Sequence, residues 1–227
     1  MTGQTDGRTD IDRLLDAALD HVPFDGWSDA TFTAAARDAG IDPALARVLC
    51  PRGAVDLAVA YHRRGDAAMV AGIAGLPEGM RFRDRIAHAV RLRLASADRE
   101  IVRRGMTLFA LPQHAATGSR LVWETADAIW RALGDTSEDV NWYTKRASLG
   151  AVYSATLLYW LGDDSADHAA TWDFLDRRIE DVMRIEKLKA ALRKAPLVGR
   201  LAESVGAMVR APGRVPPDLA GQRGRPD

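Results

Sequence analysis

One cysteine, Cys50, is all the thiol chemistry that 227 residues contain. No disulfide can form within the chain, a zinc site built on several cysteines is excluded, and a reducing compartment is the simplest setting. Net charge is lacking too: 31 Lys and Arg balance 31 Asp and Glu. That excludes a uniformly basic nucleic-acid binder and leaves only a local patch to consider. Membrane-length apolar runs are also missing. The sixteen uncharged residues Ala147–Gly162 fall short of the ~20 that a spanning helix requires. They include Ser148, Ser154, Thr156 and the small residues Ala147, Gly150 and Ala151, and so read as a central bundle helix, apolar on every side. The opening "MTGQTDGRTD" carries two aspartates and no apolar run, unlike a secretory signal or an amphipathic transit peptide. Either the protein stays where it is made or its presequence is missing. The abundance of arginine and alanine reads as bacterial.

Catalytic motifs are sparse. The five histidines (His21, His62, His88, His114 and His168) are scattered, none at a metal-ligand spacing with a second ligand. There is no Glu-x-x-His, G-x-S-x-G, phosphate-binding glycine loop or dinucleotide fingerprint. No catalytic residue, metal or cofactor is therefore assigned, and the chain reads as a non-enzyme.

Helical periodicity is present nearly everywhere. Asp10 is expected to cap a first helix with Leu14, Leu15, Ala18 and Leu19 inward, and "PFDGW" (Pro23–Trp27) to form a turn. Ser28 caps a second helix that stops at Gly40. Asp42 caps a third, with Pro43 at its first position, where a missing N–H costs nothing. Longer helices are predicted over residues 54–72, 81–97, 98–110, 119–133, 137–161 and 167–183, and Leu111–Gly118, containing His114, is the longest interior loop. Near the end, Arg184–Arg210 holds seven basic and two acidic residues with apolar residues between them. Pro196 is expected to kink or break it. The Pro- and Gly-rich residues 212–227 read as a disordered tail. The division is then a helix-turn-helix-like unit over 10–52, a helical domain over 53–183, an amphipathic helix over 184–210 and a tail over 211–227.

"RLLDAALDHVPFDGWSDATFTAAARDAGIDPALARVL" resembles the N-terminal unit of TetR-type regulators. In such a unit the second helix of the motif enters the major groove and basic groups hold phosphates. Here Arg37, Arg47 and Arg52 are balanced by Asp29, Asp38 and Asp42, so the unit reads as a packing element rather than a DNA reader. The second half is more specific. "GDTSEDVNWYTKRA", the following "AVY", and "TWDFLDRRI" resemble the Coq-nine family of accessory lipid-binding proteins of ubiquinone biosynthesis, strongly over residues 110–182.

That resemblance implies an all-α, TetR-like bundle, often dimeric, with no catalytic residues of its own. It implies a pocket for an isoprenoid quinone or phospholipid, assigned here to Leu108, Phe109, Trp123, Leu149, Val152, Tyr153 and Leu157. It implies docking to the demethoxyubiquinone hydroxylase through Ile129, Asp139, Trp142, Tyr143 and Arg146, the Asp139–Arg146 pair standing beside the aromatic patch. Adjacent helical residues diverge by ~100°, so Trp142 and Tyr143 cannot both face one core unless the helix is buried all round. The charges of Glu138, Asp139, Lys145 and Arg146 around them argue against that. A C-terminal amphipathic helix would lie on a membrane surface through Lys187, Lys189, Leu192, Arg193, Lys194, Leu197, Val198, Leu201, Val205 and Met208. The expected setting is cytoplasmic, peripheral on the inner face of a bacterial cytoplasmic membrane, with no nucleic-acid partner. The alternative is a TetR-type repressor sensing an apolar ligand.

Overall fold

The computed structural model describes residues 9–137 and 140–193, with residues 186–193 as backbone only. Among the described residues all regular structure is helical. Four short helices come first: α1 (Asp10–Leu19), α2 (Val22–Asp25), α3 (Asp29–Asp38) and α4 (Pro43–Leu49). Thr9, not Asp10, caps α1. Its hydroxyl accepts from the Asp12 N–H while the Asp12 carboxylate accepts from the Thr9 N–H, a reciprocal capping box. The expected turn at Pro23–Trp27 overlaps the single-turn helix α2, which ends at Gly26 with φ of 64°, a conformation that glycine reaches without steric cost. Ser28 and Asp42 cap α3 and α4 as their side-chain oxygens predict. Leu14, Leu15, Phe32, Ala35 and Ala46 pack together as the core of this unit.

Six longer helices follow: α5 (Ala54–Ala74), α6 (Phe82–Ala95), α7 (Arg99–Ala110), α8 (Pro112–Ala132), α9 (Val140–Leu161) and α10 (Ala169–Arg193). Their core gathers Met69, Leu94, Ile129, Leu149, Tyr153 and Leu175. Helix α5 serves both cores, with Leu57 and Ala58 in the first and Met69 and Ile73 in the second. No helix among the described residues is long and apolar enough to cross a membrane.

Three expectations are corrected here. The loop Leu111–Gly118 is the first two turns of α8. Only Leu111 leaves helical geometry, and Pro112 occupies the first helical position, where its ring fits. Gly118, inside this helix, lets α7 lie close against it: a Cβ there would come within 2.8 Å of Phe109 Cβ. His114 is consequently a helix residue. Second, α9 is not buried all round. Leu158 and Tyr159 are exposed, and Tyr159 stacks on Phe174 of α10 at 4.6 Å between ring centroids. Third, the α10 backbone continues past Met183 to Arg193. Pro196 and residues 211–227 lie outside the described residues.

Candidate functional site

Two apolar cavities and one aromatic cluster converge on α9. The first cavity, about 300 Å³, lies among α5, α6, α7, α8 and α9. Phe109, Tyr153 and Leu157 line it, as expected of pocket residues, together with Trp27, Leu94 and Met106. The second, about 460 Å³, has Leu149 and Val152 on its wall, with Ile86, Ile179, Val182 and Met183. The adjacent residues Val152 and Tyr153 line different cavities, so α9 stands between them. Two expected pocket residues belong elsewhere. Leu108 packs on the N-terminal core, and Trp123 joins the aromatic cluster.

That cluster is Trp123, Trp142 and Tyr143. Trp142 and Tyr143 meet edge-on at 4.8 Å, and Trp123 lies 5.7 Å from the Trp142 ring and 6.3 Å from Tyr143. Tyr143 is exposed and Trp142 half-buried, so the pair at the mouth of the apolar run is a surface feature, as its divergent directions require. The other expected docking residues are corrected. Ile129 is fully buried in the bundle core, because the face of α8 that carries it turns inward with Leu121, Thr125 and Ala126. Asp139 lies outside the described residues. Arg146 is only 2% exposed and works from beneath the surface.

The Arg146 guanidinium donates from Nε to Asp127 at 2.6 Å and from Nη1 to Asp135 at 3.1 Å and the Trp142 carbonyl at 3.1 Å. Its flat face lies 4.1 Å from the Trp142 ring centroid, a cation–π contact. Lys145 Nζ adds a second cation, 2.7 Å from Asp135. Burial pushes the Asp135 carboxyl up, but hydrogen bonds from Lys145, Ser137 and Arg146 outweigh it and hold the group at about 2. The aromatic rings therefore rest on a buried, charge-balanced platform. Asp127 and Asp135, which complete it, carried no sequence signal beyond the spacing of Asp127 to Arg131, an i,i+4 pair at 2.6 Å.

A second buried polar group went unread in the sequence. Arg93 of α6 donates from Nε to Asp66 of α5 at 2.6 Å and from Nη2 to the His62 carbonyl at 3.1 Å. The Thr125 hydroxyl lies 3.0 Å from Asp66 and 2.8 Å from His62 Nε2. Burial, then the nearby Arg93 charge, lowers His62 to about 3, so its ring is neutral. A signal did exist: His62 and Asp66 continue the spacing of Met69 and Ile73, the inward stripe of α5.

Residues 115–186, which contain this platform, all of α9 and part of both cavity walls, match the COQ9 family model. The chain carries a COQ9 family domain. Ubiquinone biosynthesis protein COQ9, mitochondrial, of Drosophila melanogaster is 32% identical over 183 residues, covering 78% of this chain and 56% of that protein. The protein of the same name from Homo sapiens is 30% identical over 183 residues, covering 76% and 57%. The chain thus spans under two thirds of the length of these relatives. A TetR transcriptional regulator from Nitrosomonas europaea shares the fold, with a TM-score of 0.56 at 18% identity over 75% of this chain and 95% of the regulator. The all-α, TetR-like architecture read from the sequence is borne out. The expected bacterial inner-membrane setting is overturned: these curated COQ9 relatives are mitochondrial by name.

Proposed function

We propose that this chain serves ubiquinone biosynthesis as a non-catalytic accessory protein that binds an isoprenoid lipid and presents it to a docked hydroxylase. The observation that carries this reading is the larger apolar cavity, walled by Ile86, Leu149, Val152, Ile179, Val182 and Met183. Each methylene of an isoprenoid tail taken from lipid needs an equally apolar host, because exposure to water costs ~0.8 kcal/mol per methylene. A helical cavity of this lining supplies that host, and its size falls in the range of small-molecule sites. The wall also includes α10, whose chain leads on to the basic, apolar-striped segment expected on a membrane surface. Lipid extracted from the purified full-length protein and examined by mass spectrometry tests the reading. Isoprenoid quinones or their precursors should co-purify; an inventory without any isoprenoid would sink it.

The partner surface in this reading is the exposed Tyr143 with the half-buried Trp142 beside it, aromatics at a surface being frequent interface anchors. Replacing both with Ala should weaken binding to the demethoxyubiquinone hydroxylase by more than ~2 kcal/mol, on the order of 30-fold. The melting temperature should change little. Unfolding of the double variant, with unchanged affinity per folded molecule, would assign the pair to the core instead.

The TetR-like fold does not favour a repressor here. Arg37 pairs with Asp38, Arg47 with Asp29 and Arg52 with Asp56. Helix α4 turns Leu45 and Val48 to solvent. Phosphates gain little from arginines already neutralised by neighbouring acids.

A further inference from the structure

Among the described residues, only Asp167 and His168 take a positive φ without being glycine, at 52° and 56°. They are consecutive, in the turn that joins α9 to α10. L-residues reach this left-handed region at a cost, Asp and His more readily than most, and then ordinarily one at a time. Two in a row persist only where the contacts around them fix the conformation. The same joint holds an unmet donor: the Trp160 Nε1–H is buried and has no hydrogen-bond partner among the described residues, which buried donors ordinarily find.

The contacts come chiefly from one side chain of another helix. Arg99, in the first turn of α7, donates from Nη2 to the Asp163 carbonyl and to His168 Nδ1, the latter at 3.0 Å, and its Nη1 lies 3.5 Å from Asp164. Its guanidinium also covers the Trp160 ring at 5.6 Å. The His168 ring meets Trp160 and Trp172 edge-on at 6.0 and 6.4 Å, and Trp172 Nε1 donates to the Asp167 carbonyl at 2.8 Å. A guanidinium carries donors only, so His168 Nδ1 must accept, and the contact requires a neutral ring. A proton added at Nδ1 would abolish the bond and set two cations 3.0 Å apart.

The other charges around the ring come from four elements. Asp163, Asp164 and Asp167 belong to the turn itself. Hydrogen bonds from Ser165 and Thr171 hold the Asp163 carboxyl well below the usual carboxylate range, so it stays anionic. From α7, Arg103 pairs with Glu100 and donates to the Leu161 carbonyl. Arg91 of α6 lies 5.6 Å from the Trp172 ring centroid and bonds to Asp176 of α10. His168 is the one imidazole among them, the side-chain type whose charge ordinarily changes between pH 8 and 5.

We infer that His168 and Arg99 form a proton-operated latch on the joint between α9 and α10. The neutral imidazole holds the left-handed turn in place; its protonation releases the turn and loosens α10. The wall of the larger cavity that includes Ile179, Val182 and Met183 is on that helix, so the latch governs how firmly this wall is held.

Amide hydrogen exchange of the full-length protein at pH 8 and pH 5.5, corrected for the intrinsic effect of pH, tests the latch. Exchange in α8 serves as the internal standard, because any change in global stability, including that from His62, appears there too. On acidification, protection over residues 163–172 and 176–183 should fall about 10-fold more than in α8, the worth of one charge-assisted hydrogen bond. His168→Gln should abolish the difference, since its amide oxygen accepts from Arg99 and takes up no proton. Equal falls in the joint and in α8 would overturn the latch. So would a His168→Gln protein whose joint loosens as much as that of the wild type, because the proton would then act elsewhere. The ring 15N shifts of His168 in the wild type decide even if the variant fails to fold. They should show Nδ1 without a proton at pH 8 and with one where the joint loosens. A proton on Nδ1 at pH 8, or a ring that stays neutral while the joint loosens, would equally sink the latch.

Discussion

Replacing Arg146 with Met is expected to destabilise the chain by about 3 kcal/mol, at the low end of the cost of orphaning a buried ion pair. The low end applies because each carboxylate retains another cation: Asp127 keeps Arg131 at 2.6 Å and Asp135 keeps Lys145 at 2.7 Å. The carboxylates nonetheless lose the bonds that bind α8 to α9, and Trp142 loses the guanidinium under its ring. Urea denaturation measures the loss. Arg146→Lys should recover only part of it, since an ammonium cannot reproduce the planar fork. Wild-type stability from this platform has a defined acid limit. Asp135 is held at about 2 in the folded chain against an ordinary 3.8. Its contribution is complete above the unfolded value and is lost as pH falls from about 4 toward 2. An Arg146→Met protein no less stable than the wild type would show that the platform adds nothing beyond its packing.

The second large effect is the pH dependence set by His62. Its folded value, about 3, lies below the ordinary 6.5, so the unfolded chain binds a proton that the folded chain refuses. Stability should be insensitive to this group above pH 6.5 and fall as pH drops from there toward 3, by up to ~1.4 kcal/mol per pH unit. Asp66, raised by burial against the pull of Arg93, acts with the opposite sign nearer its own range. A His62→Gln variant keeps Asp66 and isolates the histidine. Its stability curve between pH 6.5 and 5 should be flatter than that of the wild type. Parallel curves would mean that His62 takes up its proton in the folded state.

Local chemistry was legible in the sequence, and long-range burial was not. Ser28 and Asp42–Pro43 announced two helix starts because a cap depends on residues within one turn. Trp142 and Tyr143 could be separated from the core because the angle between neighbouring side chains is a property of the helix alone. Pro112 was misread as loop chemistry, although proline suits a first helical turn as well as a break. Ile129 and Arg146 were both assigned to a surface, and both are buried. What buries Arg146 is Asp135, eleven positions away across a turn, and Asp127 on the preceding helix. Nothing in the periodicity of α9 distinguishes a cation that faces water from one that faces two carboxylates.

Helix α10 has a consequence of leverage. Ile179, near its middle, is anchored in the bundle core, and the helical backbone runs on to Arg193. At 1.5 Å per residue, that arm extends ~21 Å beyond its fulcrum. Ile179, Val182 and Met183 also form one wall of the larger cavity. A force that tilts the distal end would therefore be carried along one continuous helix to the wall of that cavity.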